Sequence, residues 1–376
     1  MTAVQRALRH HLEAAVGQVF TAAVGLIQRE GKVVFLHAAG RVNPEAGEEK
    51  ATPETLFDLA SLTKLFTATA VLRLLAAHGL SLDAPLGEVL PAFCGPRPLA
   101  PYPDPLQSGK MITLAPQGGE VEADAATFRR LLAHNAGLPA WLPLFRMPAE
   151  ERRRAVMETA FAYPPGQHVV YSDLDFILLG WAAEALSGQP LAKALRAWVS
   201  EPLGLLRVHF RPAAPPAAPL WGIAATERCR WRGRRLWGEV HDENAWALGG
   251  VAGHAGLFAA AADVAALGQA WLDALRGQGL LATLGKWART AVQPQAEKGG
   301  LRRGLGWALR SSSPEDIAAP LSPTAFGHTG FTGTSLYVDP ARRLVAVALT
   351  NRVYFGREPE PIRRWRQQWH ALATRL

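Results

Sequence analysis

Apolar positions recur along the chain at two different spacings. Near the N-terminus, residues 22–28 and 33–39 are two apolar runs separated by Arg29-Glu30-Gly31-Lys32, a polar turn with a glycine, and this pattern predicts a β-hairpin. Residues 1–20 before it form an amphipathic stretch, with Arg6, Arg9, His10, His11 and Glu13 scattered through it, and predict a helix. Leu65, Ala68, Leu72 and Leu75 return at helical spacing and predict a helix over 63–78. Residues 91–120, rich in Pro, Gly and polar groups, have no period and read as a long surface excursion. Four more helices are predicted over 128–134, 150–161, 173–187 and 191–198, punctuated by Gly and Pro. Strand character returns at 334–338 and 344–350, which flank Asp339-Pro340-Ala341-Arg342, a type I turn with Pro at its second position. A helix over 361–376 follows.

Strands near both ends and helices between them predict an α+β fold. One antiparallel sheet is built from both chain ends, flanked by helices, with a mostly helical insertion. No linker separates independent units, and no period of 20–50 residues repeats. The expectation is a single catalytic domain over 1–376, its sheet region at about 16–60 and 325–376, with helices and loops over about 61–324.

Composition narrows the class. Of 376 residues, 49% are apolar and 19% charged, which excludes a disordered chain. A net charge of +8 is modest for this length, and nucleic-acid binding would need a clustered patch as well. One basic-aromatic cluster exists: Arg228, Arg230, Arg232, Arg234 and Arg235 with Trp231 and Trp237. With Gly233 among them, it reads as a strand–turn–strand hairpin with its charges in water, rimming the cleft, rather than as a nucleic-acid site. Cys94 and Cys229 form no Cys-x-x-Cys pair and fit a reducing compartment. No signal peptide is visible at the N-terminus. The uncharged run 245–262 holds four glycines and His254, so it reads as a tight loop followed by a helix start and not as a membrane span. The expectation is a soluble, cytoplasmic protein without nucleic-acid or membrane partners.

Three segments carry candidate chemistry. In Phe57-Asp58-Leu59-Ala60-Ser61-Leu62-Thr63-Lys64, Ser61 opens a helix and Lys64 lies three residues on, so both share a face and the amine reaches the hydroxyl. A serine is a poor nucleophile until a neighbour takes its proton, and a helix N-terminus favours the charge that then develops. In Tyr171-Ser172-Asp173, a tyrosine precedes a helix; a phenol beside a lysine can act as a base, while Asp173 can also serve as a cap. In Gly327-His328-Thr329-Gly330-Phe331-Thr332-Gly333, three glycines let a backbone edge approach a ligand, and a plain glycine-rich turn is the alternative. His241, Asp242 and Glu243 are not expected to bind a metal, because adjacent residues in an extended chain diverge. His254 reads as a packed, loop-bracing histidine. No metal and no cofactor are expected.

Taken together and in this order, the three segments resemble the S-x-x-K, Y-x-N and K/H-T-G motifs of the class C β-lactamase and penicillin-binding-protein superfamily. The segments 132–138, 201–205, 240–245 and 249–258 resemble one subgroup in particular, which includes poorly characterised hydrolases and cell-wall N-acetylmuramoyl-L-alanine amidases. The resemblance implies a serine hydrolase forming an acyl-enzyme on a small ester or amide. Ser61 is then the nucleophile, Lys64 and Tyr171 share the base role, and the backbone N–H groups of Ser61 and Phe331 form the oxyanion hole. Asp173, His328, Thr329 and Gly330 are the implied substrate-binding positions, and Trp141 and Trp246 are implied to lie near the cleft. Two departures stand out. Asp173 replaces an asparagine, so it cannot donate to a substrate carbonyl but can pair with Lys64. His328 replaces a lysine, so its grip on a substrate carboxylate depends on its protonation. Both point away from efficient β-lactam hydrolysis and toward esters or other amides. An amidase or peptidase acting on peptidoglycan fragments, and a non-catalytic binding protein of the same fold, are the alternatives. No Gly-x-Ser-x-Gly elbow surrounds any serine, which argues against an α/β-hydrolase.

Overall fold

The two ends of the chain meet in the middle of one antiparallel sheet. In this computed structural model, which describes all residues except 108, 117, 211–219, 221, 314 and 315, eight strands lie side by side. Their order is Ala296–Lys298, Leu301–Arg303, Ala308–Leu309, Phe326–Thr329, Ser335–Asp339, Leu344–Thr350, Ala22–Arg29 and Lys32–Gly40. Ala23 faces Thr350 and Leu26 faces Val347, so the N-terminal hairpin adds directly to the C-terminal one. The N-terminal hairpin forms where expected, with Arg29 opposite Lys32. Glu30 and Gly31 both take positive φ (53° and 78°), the backbone that matches the twist of two flanking strands. The sheet draws in more of the chain than 16–60 and 325–376: three short strands between 296 and 309 extend it beside Phe326–Thr329. This extension brings Arg303 to the catalytic edge described below.

Helices cover both faces, so strand Leu344–Thr350 is buried along its whole length. On one face helix Ala261–Ala274 packs on the central strands, with helices Thr63–Ala77 and Asp173–Ser187 packed together in the same core. On the other face lie helices Ala3–Ala15 and Glu360–Ala373. Gly25 permits this second layer: a Cβ there would stand 2.4 Å from the Trp369 indole. Residues 60–77 are long and apolar enough to cross a membrane by composition, yet 78% of that stretch is buried, as befits the core helix of this fold. The architecture is α+β, as the strand–helix–strand pattern implies.

Local differences from the sequence reading have physical reasons. The helix expected over 128–134 stops at Leu132, because His134 takes a left-handed φ of 58°. The one expected over 150–161 is Ala149–Met157. That over 191–198 becomes Leu191–Leu195 followed by a wider π turn, Arg196–Ser200. Within the excursion 91–120, Pro96–Pro98 pairs with Glu120–Glu122 and Tyr102–Pro103 with Met111–Ile112. The run 245–262 holds a glycine loop, strand Leu257–Ala259 and the start of helix Ala261–Ala274.

Candidate active site

The turn that carries Ser61 is held under tension by its neighbours. Ser61 lies in a single 3-10 turn, Ala60–Leu62, that runs into helix Thr63–Ala77. Ala60 sits at φ 46°, a conformation costing an alanine about 1–2 kcal/mol. The buried Asp58 carboxyl restrains it: Oδ1 accepts from the Ala60 N–H at 2.8 Å, and Oδ2 accepts from the His241 N–H at 2.6 Å. Burial raises the Asp58 carboxyl above the ordinary carboxylate range, against the pull of His241.

Lys64 is fully buried on the first turn of the helix. Its ammonium donates to Asp173 Oδ1 at 2.8 Å, to Ser61 Oγ at 3.1 Å and to the His254 carbonyl at 3.2 Å. Burial on its own would lower the proton affinity of this amine. The Asp173 charge, then Tyr171, outweighs burial and holds the ammonium above its ordinary value. Asp173 is the first residue of helix Asp173–Ser187, fixed by Ser172 as the cap and by its own N–H on the Ala140 carbonyl at 2.9 Å. The pairing of Asp173 with Lys64 that the sequence allows is the one adopted.

Tyr171 faces inward. Lys64 Nζ stands 4.7 Å from its ring centroid and the Arg303 guanidinium carbon 5.1 Å, while the buried phenol oxygen has no hydrogen-bond partner among the described residues. The His134 ring lies 4.6 Å from the Tyr171 ring and the His328 ring 5.7 Å. His134 Nδ1 accepts from the Ser172 N–H at 3.1 Å and lies 3.2 Å from Asp175 Oδ2. Burial, then Arg303 and Lys64, pushes His134 well below the ordinary imidazole range, and burial, then Asp173, pushes Asp175 well above the carboxylate range. Both shifts favour the uncharged forms, and the pair braces the tyrosine ring.

The fourth wall is the edge of strand Phe326–Thr329 and the turn after it. Gly330 admits no side chain: a Cβ would stand 2.1 Å from Thr334 Oγ1 and 2.4 Å from the Leu59 carbonyl. Thr332 Oγ1 donates to the Asp58 carbonyl at 2.7 Å and Thr334 Oγ1 to that of Leu59 at 3.0 Å. The turn bearing Phe331 is thereby fastened to the turn bearing Ser61. Arg366 Nη2 donates to the Gly330 and Thr334 carbonyls, both at 2.7 Å, and Arg352 Nε to the Phe331 carbonyl at 2.8 Å. His328 Nδ1 is 2.8 Å from the Thr329 carbonyl. A carbonyl only accepts, so that nitrogen carries the proton and Nε2, buried and without a partner among the described residues, presents a lone pair. Burial, then Arg303 and Lys64, keeps His328 well below the imidazole range, so it is uncharged rather than partly charged at neutral pH.

These elements enclose a cleft of about 660 Å³ lined by Ser61, Tyr171, His328, Thr329, Gly330 and Phe331 among others. Lys64 and Asp173 lie behind it. Trp141 and Trp246 are not among its lining residues. Trp141 lies 6.3 Å from Phe145, and Phe145 and Trp246 both pack on Trp231 in a separate aromatic patch. The Arg228–Arg235 segment is the expected hairpin, but not all its charges face water. Arg232 turns inward and donates to the carbonyls of Val240, His241 and Asp242, and Arg235 donates to those of Thr226 and Tyr354. His241, Asp242 and Glu243 diverge, toward Glu227, His254 and Arg357. His254 is buried, with Nε2 3.0 Å from Asp242 Oδ1. Asp173, Asp242 and His254 bring one ligand atom each within 4.8 Å, a spacing that suits a cation. The Lys64 ammonium, 2.8 Å from Asp173, supplies positive charge there.

Sequence reasoning missed Asp58, His134, Asp175, Arg303 and Arg366. Asp58 and His134 lie within quoted segments but were given no role there, and Asp175, Arg303 and Arg366 reach the site from outside any of them.

A serine, a buried ammonium and an inward tyrosine meet beside a glycine-edged antiparallel strand. The chain matches the Beta-lactamase family over residues 5–369, and it belongs to that family. It is 31% identical over 357 residues to a protein of Escherichia coli named "Putative D-alanyl-D-alanine carboxypeptidase", covering 87% of this chain and 77% of that one. Two solved structures share the fold. One is EstCE1, a hydrolase with promiscuous acyltransferase activity (TM-score 0.71, 22% identity, 97% and 98% of the two chains covered). The other is a class C β-lactamase from Rhodobacter sphaeroides (TM-score 0.72, 19% identity, 98% and 99% covered). The protein is a serine hydrolase of this family.

Proposed function

We propose that Ser61 attacks the carbonyl carbon of a small ester or amide, and that Tyr171 takes its proton while Lys64 stays charged. The carrying observation is the position of the Lys64 ammonium, 3.1 Å from Ser61 Oγ and 2.8 Å from Asp173. An ammonium held by a carboxylate has no lone pair to accept a proton. Tyr171 enters the step as the phenolate, whose oxygen takes the Ser61 proton and becomes the phenol, and the ammonium beside its ring stabilises that phenolate beforehand. The N–H groups of Ser61 and Phe331 receive the negative oxygen, which such donors stabilise by a factor on the order of 10²–10³ each. As the tetrahedral species collapses, the bond to the leaving group breaks and Tyr171 returns the proton to it. Water then repeats the sequence on the acyl-enzyme. His328, Thr329 and Gly330 line the substrate in this reading, while Asp173, expected to bind substrate, lies behind the cleft on Lys64. Turnover of short-chain 4-nitrophenyl esters tests it: the wild type releases nitrophenol, and Ser61→Ala turning over equally well would end it.

A second reading is an amidase or peptidase on peptidoglycan fragments, favoured by the name of the Escherichia coli relative. Release of D-alanine or of free peptide from muropeptides decides between the two. A binding protein without chemistry predicts ligand binding and no covalent adduct. A cytoplasmic location, as opposed to an exported one, is supported by the two free cysteines, Cys94 exposed and Cys229 buried.

A further inference from the structure

Five arginines line the cleft, and four are already committed. Arg302 donates to Glu297 at 3.1 Å and to the Arg310 carbonyl at 2.7 Å. Arg363 binds Glu360 at 2.8 Å, and Arg352 and Arg366 hold the carbonyls of the 330–334 turn. Arg303 differs. Among the described residues its side chain makes no hydrogen bond and no ion pair; its Nε is buried and unpartnered, the Tyr171 ring lies 5.1 Å away, and Tyr337 and Asp316 act on its charge only from beyond ion-pair distance. Asp316, the acid in the same wall, is occupied by the N–H groups of Ser311 and Ala318. A guanidinium drawn out of water without a partner is costly, and its fork of donors matches a carboxylate. The neighbouring His328, with Nδ1 committed to a carbonyl and a lone pair on Nε2, offers an anion no charge.

We propose that Arg303 is a specificity-determining residue and that the natural substrate carries a carboxylate, which docks on this guanidinium while the reacting carbonyl lies over Ser61. The proposal rests on Ser61 being the nucleophile. It places charge recognition on strand Leu301–Arg303, two strands away from the histidine of the glycine-rich edge.

Two matched ester pairs test it. In 4-nitrophenyl butyrate against mono-4-nitrophenyl succinate the carboxylate is on the acyl side; in phenyl acetate against 3-acetoxybenzoate it is on the leaving group. The wild type prefers the charged member of one pair by roughly ten- to a hundredfold in kcat/KM. Arg303→Met brings that ratio to near one, and Arg303→Lys, which keeps the charge without the fork, retains part of it. If Arg303 only braces the Tyr171 ring, both members of a pair slow alike and the ratio does not move. A wild-type ratio near one in both pairs overturns the proposal even if Arg303→Met fails to fold. Protection adds a readout without turnover: glutarate slows fluorophosphonate labelling of the wild type and not of Arg303→Met, and equal protection overturns the proposal. Failure of the underlying reading looks different, since Ser61→Ala would then label and turn over like the wild type.

Discussion

Asp173 Oδ1 lies 2.8 Å from the Lys64 ammonium, closer than Ser61 Oγ at 3.1 Å. The amine beside the nucleophile is therefore bound first to a carboxylate, at a position where the related motif carries an uncharged amide. This contact decides how the site holds its protons.

Asp173→Asn tests that contact. Asp173 is the strongest influence holding the Lys64 proton, so removing its negative charge lowers the proton affinity of that ammonium and lets its positive charge act fully on the base beside it. The ascending limb of the pH profile of kcat/KM moves to lower pH by about one unit or more. An unmoved limb would show that Asp173 does not set the protonation of the base.

Gly330→Ala tests the fastening of the two turns. The added methyl meets Thr334 Oγ1 and the Leu59 carbonyl at distances no contact tolerates, so the Phe331 turn must shift away from Ser61. Loss of one oxyanion donor predicts a fall in kcat on the order of 10²–10³. Wild-type kcat in a folded Gly330→Ala would contradict the assignment of the Phe331 N–H.

Much of this was legible along the chain. Hairpins and long helices follow from local periodicity, and Ser61, Lys64, Tyr171 and the edge 327–333 stood out because their motifs are short and ordered. Asp58, His134 and Arg303 did not. Asp58 bonds a residue 183 positions away, His134 braces Asp175 at a separation of 41, and Arg303 reaches Tyr171 only because three short strands extend the sheet. Strands of two or three residues leave no period to detect. The boundary of 128–134 was misplaced for a related reason: His134 leaves the helix to serve the site, a tertiary demand that overrides local preference.

Asp58→Ala tests the clamp on the Ala60 turn. It strips the acceptor from two backbone N–H groups, at about 1–3 kcal/mol for each buried group left unmatched. Unfolding free energy falls by about 2–6 kcal/mol, and activity falls with it because Ser61 loses its fixed backbone. Asp58→Asn, which keeps one acceptor oxygen, loses less. Equal stability of wild type and Asp58→Ala in denaturant would dismiss the clamp.

His370 gives a pH prediction away from the cleft. Both of its ring nitrogens are buried without partners among the described residues, and burial first and Arg366 second push it down to about 3. Because the folded value is depressed, the stability it allows is complete above about 6.5 and is lost as pH falls toward 3. His370→Phe removes that loss, so relative to the wild type it gains about 1.4 kcal/mol per pH unit between pH 6 and 4. Denaturant titrations at pH 7.5 and 4.5 check this, and a constant difference between the two proteins would refute it.

The central assignment is a covalent bond at Ser61. Its most direct measurement is intact mass followed by peptide mapping after reaction with a fluorophosphonate. We expect one adduct per chain, on the peptide carrying Ser61, absent from Ser61→Ala and formed about a hundredfold more slowly in Tyr171→Phe. An adduct on another residue, or equal labelling of Ser61→Ala, would contradict the account.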